Sequence, residues 1–427
     1  MATTRRQFIK RGFGAVTASM LIPHFDFTRK VLAQGAEANL ARKLVVIQLA
    51  GGNDGLNTVI PYTDSNYYAY RPNIAFKDTE LVDDVGATTM IDGRFGFHPR
   101  LKEIRDLYNS GKVAVILGVG EEGQSTSHFE GTTNIASGRI DGKMPDGGWL
   151  GRYAKQAFGA QQGLLAAAIG GSLPQMFYSD YVIPSIASFA QFTFQTDARF
   201  TGDRSNQVSV FTSSNARPFP SESFIEAIAS TGSNAFKDAT TVQTETAKYN
   251  PTGYPTTGLG NALKMVSQLM VTIPTTSLAH VAIGGFDNHQ DLVALVQGKR
   301  DKLNGGHAGL LMQFSQAVKA FYNDLAAHGL SQNTLIMTYS EFGRRPKENG
   351  TFGNDHGRAS VWFVIGDAVH GGLLGDQPSI APTALDRTGN PAQTVDLRSI
   401  YAEILDKWFD HDSKSVLGAS YPSIGLL

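Results

Sequence analysis

The chain has 427 residues, 41% of them hydrophobic and 18% charged, which supplies a sizeable core and excludes disorder, collagen and coiled coil as its main state. Its 37 basic and 38 acidic residues leave a net charge of −1, so there is no basic excess for gripping nucleic acid or anionic lipid. The lack of cysteine excludes disulfides, iron–sulfur clusters, cysteine zinc sites and a cysteine nucleophile.

The first feature along the chain is Thr4-Arg5-Arg6-Gln7-Phe8-Ile9-Lys10, which resembles a twin-arginine export signal. The apolar stretch that follows, residues 12–25, is too short to span a bilayer, and Ala36-Glu37-Ala38 offers a small-residue cleavage site. Residues 1–38 are read as a signal, and residues 39–427 as the folded domain. The resemblance implies export in the folded state to the periplasm, cell envelope or exterior, with no transmembrane segment. Removing the signal takes away six basic and two acidic residues and leaves a net charge of about −5.

Beyond the signal, short β-branched apolar runs alternate with segments of helical period. Strands are predicted at 43–49, 113–117, 280–283, 334–339 and 360–365, and helices at 101–108, 308–328 and 397–409. The helix at 308–328 shows the spacing clearly, with Leu311, Phe314, Val318, Phe321 and Leu325 on one side and Gly329 as its stop. Strands separated by helices predict an α/β fold with a mainly parallel central sheet covered on both faces. The stretch 156–270 is rich in Ser, Thr, Gly, Phe and Gln and is read as an inserted cap region. The cluster Tyr67-Tyr68-Ala69-Tyr70 is read as surface packing, with a substrate entrance as the alternative.

Polar residues gather where such a sheet presents its site, beyond the carboxyl ends of the strands. Asp54 follows the first strand in Gly51-Gly52-Asn53-Asp54-Gly55. Asp287 and His289 follow the 280–283 strand, Glu341 follows the 334–339 strand, and Asp355 and His356 lie one loop later. An Asp after two glycines is a common turn former, but four such motifs at strand ends point to a cluster of oxygen and nitrogen ligands. Those ligand types suit zinc, manganese, magnesium or calcium. Ser127, in Ser125-Thr126-Ser127-His128-Phe129-Glu130, fits a capping box with Glu130 at the start of a helix. A hydroxyl at a helix N-terminus also sits where an anion is favoured.

The order strand, Asp, hydroxyl, Asp/His, Asp-His-Gly resembles that of the alkaline phosphatase superfamily. Within it, the motifs Gly51-Gly52-Asn53-Asp54-Gly55, Ser127-His128-Phe129, Gly285-Phe286-Asp287-Asn288-His289, Ser340-Glu341-Phe342-Gly343-Arg344 and Asn354-Asp355-His356-Gly357 are similar to hallmarks of an exported family labelled domain of unknown function fifteen-oh-one. The resemblance runs from about residue 43 to the C-terminus. It implies an alkaline-phosphatase-like three-layer sandwich and a centre of up to two divalent metal ions. The metal residues would be Asp54 and Asp287, with His289 or His307 as partner of Asp287, and with Glu341 or Asp355 and His356 at the second position. Ser127 would attack, and Arg344 or Arg345 would clamp the anion. The implied function is an exported metal-dependent hydrolase or transferase acting on phosphate or sulfate esters, small or polymer-borne. The alternative is a non-catalytic binding or scaffold protein of the cell envelope that engages a protein partner.

Overall fold

The computed structural model describes residues 40–427 apart from 140, 145, 160–162 and 222. The export signal expected over 1–38 lies outside the described residues. The strands of the central sheet, in chain order, are β1 (Lys43–Leu49), β2 (Val113–Gly120), β3 (Ala166–Ile169), β4 (Ser185–Ile186), β5 (Leu278–Ile283), β6 (Thr334–Tyr339), β7 (Ser360–Ile365), β8 (Gly372–Leu374) and β9 (Val395–Asp396). Their spatial order is β8-β2-β7-β6-β1-β5-β3-β4, with β9 also paired to β2. β1 lies centrally and pairs in parallel with both β5 and β6, Leu44 standing opposite Leu278 on one side and Leu335 on the other. Six of its seven residues are buried, as expected of a strand covered on both faces.

The sheet is mixed but mostly parallel, as the α/β pattern predicts. β7 runs antiparallel to β6 and to β2. The cause is local: between β6 and β7 the chain makes only the small hairpin Gly343–Glu348/Asn354–Gly357, with no crossover helix to return it to the starting edge.

Among the described residues, the α-helices of seven residues or more are α1 (Lys102–Asn109), α2 (His128–Ser137), α3 (Trp149–Phe158), α4 (Arg204–Asn215), α5 (Phe224–Thr246), α6 (Gly258–Thr272), α7 (Gly306–Ala327) and α8 (Leu397–Glu403). Alternate residues of β1 feed two cores. Leu44 and Val46 pack with Ile135 of α2, Trp149 of α3 and Tyr401 of α8, whereas Val45 and Ile47 pack with Ile104 of α1, Leu263 of α6 and Phe314 of α7. The result is a three-layer sandwich.

The region 156–270 departs from the expectation of an inserted cap. It supplies β3, the edge strand β4 and the layer helix α6, because the short Ala-rich run of β3 pairs in register with β5. The excursion proper is α4 and α5, joined by rings of Phe194, Phe211 and Phe236 at centroid distances of 4.7–5.9 Å. Among the described residues, no helix is long and apolar enough to cross a membrane.

β1, β5 and β6 are mutually parallel, and β2 shares their direction through the antiparallel β7. All four strands therefore end at one edge of the sheet. The loops that leave that edge carry the polar motifs singled out in the sequence.

Candidate metal centre

The loop after β1 turns through Gly51 and Gly52, both at positive φ. A Cβ on Gly51 would stand 2.3 Å from the backbone nitrogen of Asp287, so only glycine lets the β1 and β5 loops touch. Ser340, at the end of β6, donates its hydroxyl to Leu49 O (2.6 Å) and accepts from Asn53 N (2.9 Å). Arg344 then ties these loops together. Its Nε donates to Gly52 O (2.7 Å) and its Nη1 to Asn354 O (2.9 Å). Its Nη2 donates to Asp287 Oδ1 (2.7 Å), to Phe286 O (3.1 Å) and to Gly51 O. The guanidinium is fully buried.

The carboxylate so fixed is the centre of a histidine cluster. His356 Nε2 lies 3.0 Å and His289 Nε2 3.1 Å from Asp287 Oδ1, and His128 Nε2 lies 3.5 Å from Oδ2. Two of the three far nitrogens are hydrogen-bonded to an oxygen, and the third faces one at longer range. His356 Nδ1 faces Thr126 O (2.8 Å), His128 Nδ1 faces Glu341 Oε1 (2.9 Å), and His289 Nδ1 is 3.5 Å from Asp355 Oδ1. A carbonyl or carboxylate can only accept, so it places the proton on Nδ1 and leaves Nε2 of the neutral ring as a bare lone pair. The Nε2 atoms of His289 and His356 are nevertheless 2.8 Å apart. A proton on one ring can join a pair of these atoms, and a metal cation among them would engage all of them at once.

The spacing fits a small transition ion. Ligand bonds of about 2.0–2.1 Å in a tetrahedron place the ligand atoms about 3.3 Å apart. The separations of 2.8–3.1 Å among Asp287 Oδ1, His289 and His356, and of 3.5 Å between His128 and Asp287 Oδ2, lie near that figure. The ligating atoms of His128, Asp287 and His356 all lie within 4.8 Å of one another. Oxygen-held Nδ1 atoms behind metal-facing Nε2 atoms are the usual outer shell of such sites. Asp287 itself is held in its charged form: partial burial pushes its pKa up, but the Arg344 guanidinium and the neighbouring histidines outweigh this and bring it to about 2.

Other residues named from the sequence stand apart from this cluster. Asp54 is buried and gives both carboxylate oxygens to Arg71, at 2.6 and 2.9 Å. Burial works to raise its pKa, and the Arg71 guanidinium outweighs burial and lowers it. In this structure both oxygens of Asp54 serve Arg71 rather than the histidine cluster, so the expected role as a metal ligand gives way to a buried ion pair. His307 is also buried, with Nε2 3.0 Å from Asn53 Oδ1 and Nδ1 without a partner among the described residues. Burial holds its pKa down to about 4. It points at Asn53 rather than at Asp287. Glu341 and Asp355 sit behind histidines instead of facing the Nε2 cluster. Arg344 is a latch between backbone loops, and with its side chain wholly buried it presents nothing to clamp an anion.

Ser127 is the N-cap residue of α2, but its side chain makes no capping hydrogen bond. Glu130 instead accepts from Ser125 Oγ at 2.7 Å, so the expected capping box is not formed. The Ser127 hydroxyl is exposed and has no partner among the described residues. It lies between Thr126, whose carbonyl holds His356, and His128. That histidine is missed by reasoning from sequence alone, although it stands in the Ser127-His128-Phe129 motif. The signal is its place beside the serine, at the start of a helix that follows a strand.

Fold and site together define an α/β sandwich protein with a histidine–carboxylate cluster at the carboxyl edge of its sheet. The chain belongs to the family described as Protein of unknown function (DUF1501), whose model matches residues 41–418. No curated protein matches it by sequence. Among solved structures it is similar to a protein in the alkaline phosphatase superfamily from Vibrio parahaemolyticus, at 10% identity and a TM-score of 0.36, over 98% of this chain and 77% of that one. It is also similar to the C-terminal periplasmic domain of EcEptC from Escherichia coli, at 11% identity and a TM-score of 0.38, over 92% and 93% of the two chains. A third is the phosphonate monoester hydrolase SpPMH from Silicibacter pomeroyi, at 10% identity and a TM-score of 0.35, over 90% and 78%. Likenesses this distant say nothing about the reaction.

Proposed function

We propose that the protein is a metal-dependent hydrolase or transferase for phosphate or sulfate esters, built on one divalent ion held by His128, His289, His356 and Asp287. The observation that supports it most is the convergence of three Nε2 atoms on one carboxylate, two of them from rings whose Nδ1 is hydrogen-bonded to an oxygen. Three imidazoles favour zinc or another late transition ion over magnesium or calcium, which take oxygen ligands. Asp54 and His307 are engaged elsewhere, so the reading is one ion and not two.

An ion bound there would act as a Lewis acid, polarising an ester oxygen and stabilising charge that develops on it. The chain's own residues supply the rest. Ser127 presents a free hydroxyl at the N-terminus of α2, where backbone N–H groups favour an anionic group beside it. It is the group proposed to attack. Arg344 fixes Asp287, Glu341 orients His128 and Thr126 orients His356, so the ligating atoms are held before any ion arrives. The side chains of Asp287 and His289 are each 44% exposed, which leaves the site open on one side. Openness favours a catalytic or substrate-binding centre over a purely structural ion, whose shell is closed. The Arg5-Arg6 segment supports action outside the cytoplasm.

The test is turnover of a panel of phosphate and sulfate esters with zinc, manganese, magnesium and calcium each supplied. Activity with zinc or manganese that disappears in His356→Ala is the expected result. Wild-type protein that holds zinc yet turns over no member of the panel favours the envelope-binding alternative.

A further inference from the structure

Beside the centre lies an open cleft of about 340 Å³, walled by Tyr70 and Pro72 on one side and by Lys347, Asn349 and Phe352 on the other. This is within the size range of small-ligand sites. It is joined to the centre by Asn349, whose Nδ2 donates to His289 O (2.7 Å) and to Asp355 Oδ1 (3.3 Å). Its lining carries one lysine and one glutamate. Lys347 is exposed and has no ion pair among the described residues, and Arg300 lies over the Phe352 ring at 3.2 Å from the centroid. The one carboxylate lining it, Glu348, is engaged by the backbone N–H groups of Asn73 and Ile74, at 3.1 Å each. Tyr70 has no hydrogen-bond partner among the described residues. Aromatic and proline surface, amide side chains and the unpaired Lys347 ammonium are a combination that packs against the C–H face of a sugar and pairs with its acidic substituents.

We infer that this cleft binds a sugar unit of an anionic polysaccharide and so presents a neighbouring ester to the metal centre. The presentation step rests on the ester-hydrolase reading, but binding in the cleft does not. Peptide acids would find the same cation without using the ring surfaces. The sequence leaves Tyr67-Tyr68-Ala69-Tyr70 between surface packing and an entrance. Tyr67 is buried against Asn57, whereas Tyr70 lines the cleft.

The experiment is affinity electrophoresis of the full mature chain through gels containing dextran sulfate, unsubstituted dextran or polyglutamate. Dextran sulfate should retard the wild type far more than either control. Tyr70→Ala and Lys347→Ala should each weaken that binding about tenfold, the scale of one lost charged or stacked contact. Arg217→Ala, an exposed cation elsewhere, should leave it unchanged. Lys347 is exposed, so its variant folds even if Tyr70→Ala does not. Failure to bind dextran sulfate, equal retardation by polyglutamate, or wild-type binding by Lys347→Ala would each overturn the proposal. Because binding is read without turnover, the cleft is tested equally well on a chain that holds no metal.

Discussion

Replacing Asp54 by Asn separates a structural aspartate from a metal ligand. Arg71 is wholly buried, and Asp54 supplies two of its contacts, at 2.6 and 2.9 Å. The remaining acceptors are neutral: Pro346 O (2.7 Å), Asn57 Oδ1 (2.9 Å) and Arg345 O (3.2 Å). Two charge-assisted bonds at about 1.5–3 kcal/mol each give about 3–6 kcal/mol. Breaking a buried ion pair by removing one partner costs about 3–5 kcal/mol, and the two estimates agree. Urea unfolding of Asp54→Asn should therefore show a loss of about 3–5 kcal/mol. The double variant Asp54→Leu with Arg71→Met should recover most of it, because no charge is then left buried and unpaired. The pH dependence carries a definite sign. The folded-state pKa of Asp54 lies below its unfolded value, so its stabilisation is fully present above the unfolded pKa of about 3.9 and is lost as pH falls through the folded one. Metal content of the folded Asp54→Asn fraction should equal that of the wild type. Wild-type stability with loss of metal would refute the reasoning and return Asp54 to the ligand set.

Glu341→Gln keeps an acceptor for Gly51 N but loses the carboxylate behind His128 Nδ1, so zinc affinity measured by competition with a chelator should fall about 10–100-fold with stability little changed. Ser127→Ala should abolish turnover at normal metal content. It should change stability by less than the about 0.5–2 kcal/mol of a working cap, because the hydroxyl caps nothing; unfolding midpoints together with ester assays check both halves. Arg5→Lys with Arg6→Lys should retain the protein in the cytoplasm, as read by cell fractionation, and normal export of the double variant would refute the signal reading.

The sheet is legible in the sequence because its inner strands are continuous apolar runs and the motifs stand directly after them. Strand β3 is not, since three alanines and one isoleucine, Ala166 to Ile169, carry little hydrophobic signal and draw their order from pairing with β5 and β4. The reversed direction of β7 depends on the hairpin at 343–357, a tertiary feature without a local signature. In the site, Asp287, His289 and His356 stand out as ligand types at loop positions. The fate of Asp54 is hidden because its partner, Arg71, lies 17 residues away with no motif around it. Arg344 reads as an anion clamp because an arginine after a strand invites that role. Only the packed structure shows that its donors are taken by carbonyls of three other segments and by Asp287.

The most direct measurement is elemental analysis of metal per chain after zinc loading and dialysis, made on the wild type and on His128→Ala with His356→Ala. One equivalent in the wild type and close to none in the double variant is the predicted result. No metal in the wild type, two equivalents, or an undiminished content in the double variant would contradict a single centre held by His128, His289, His356 and Asp287.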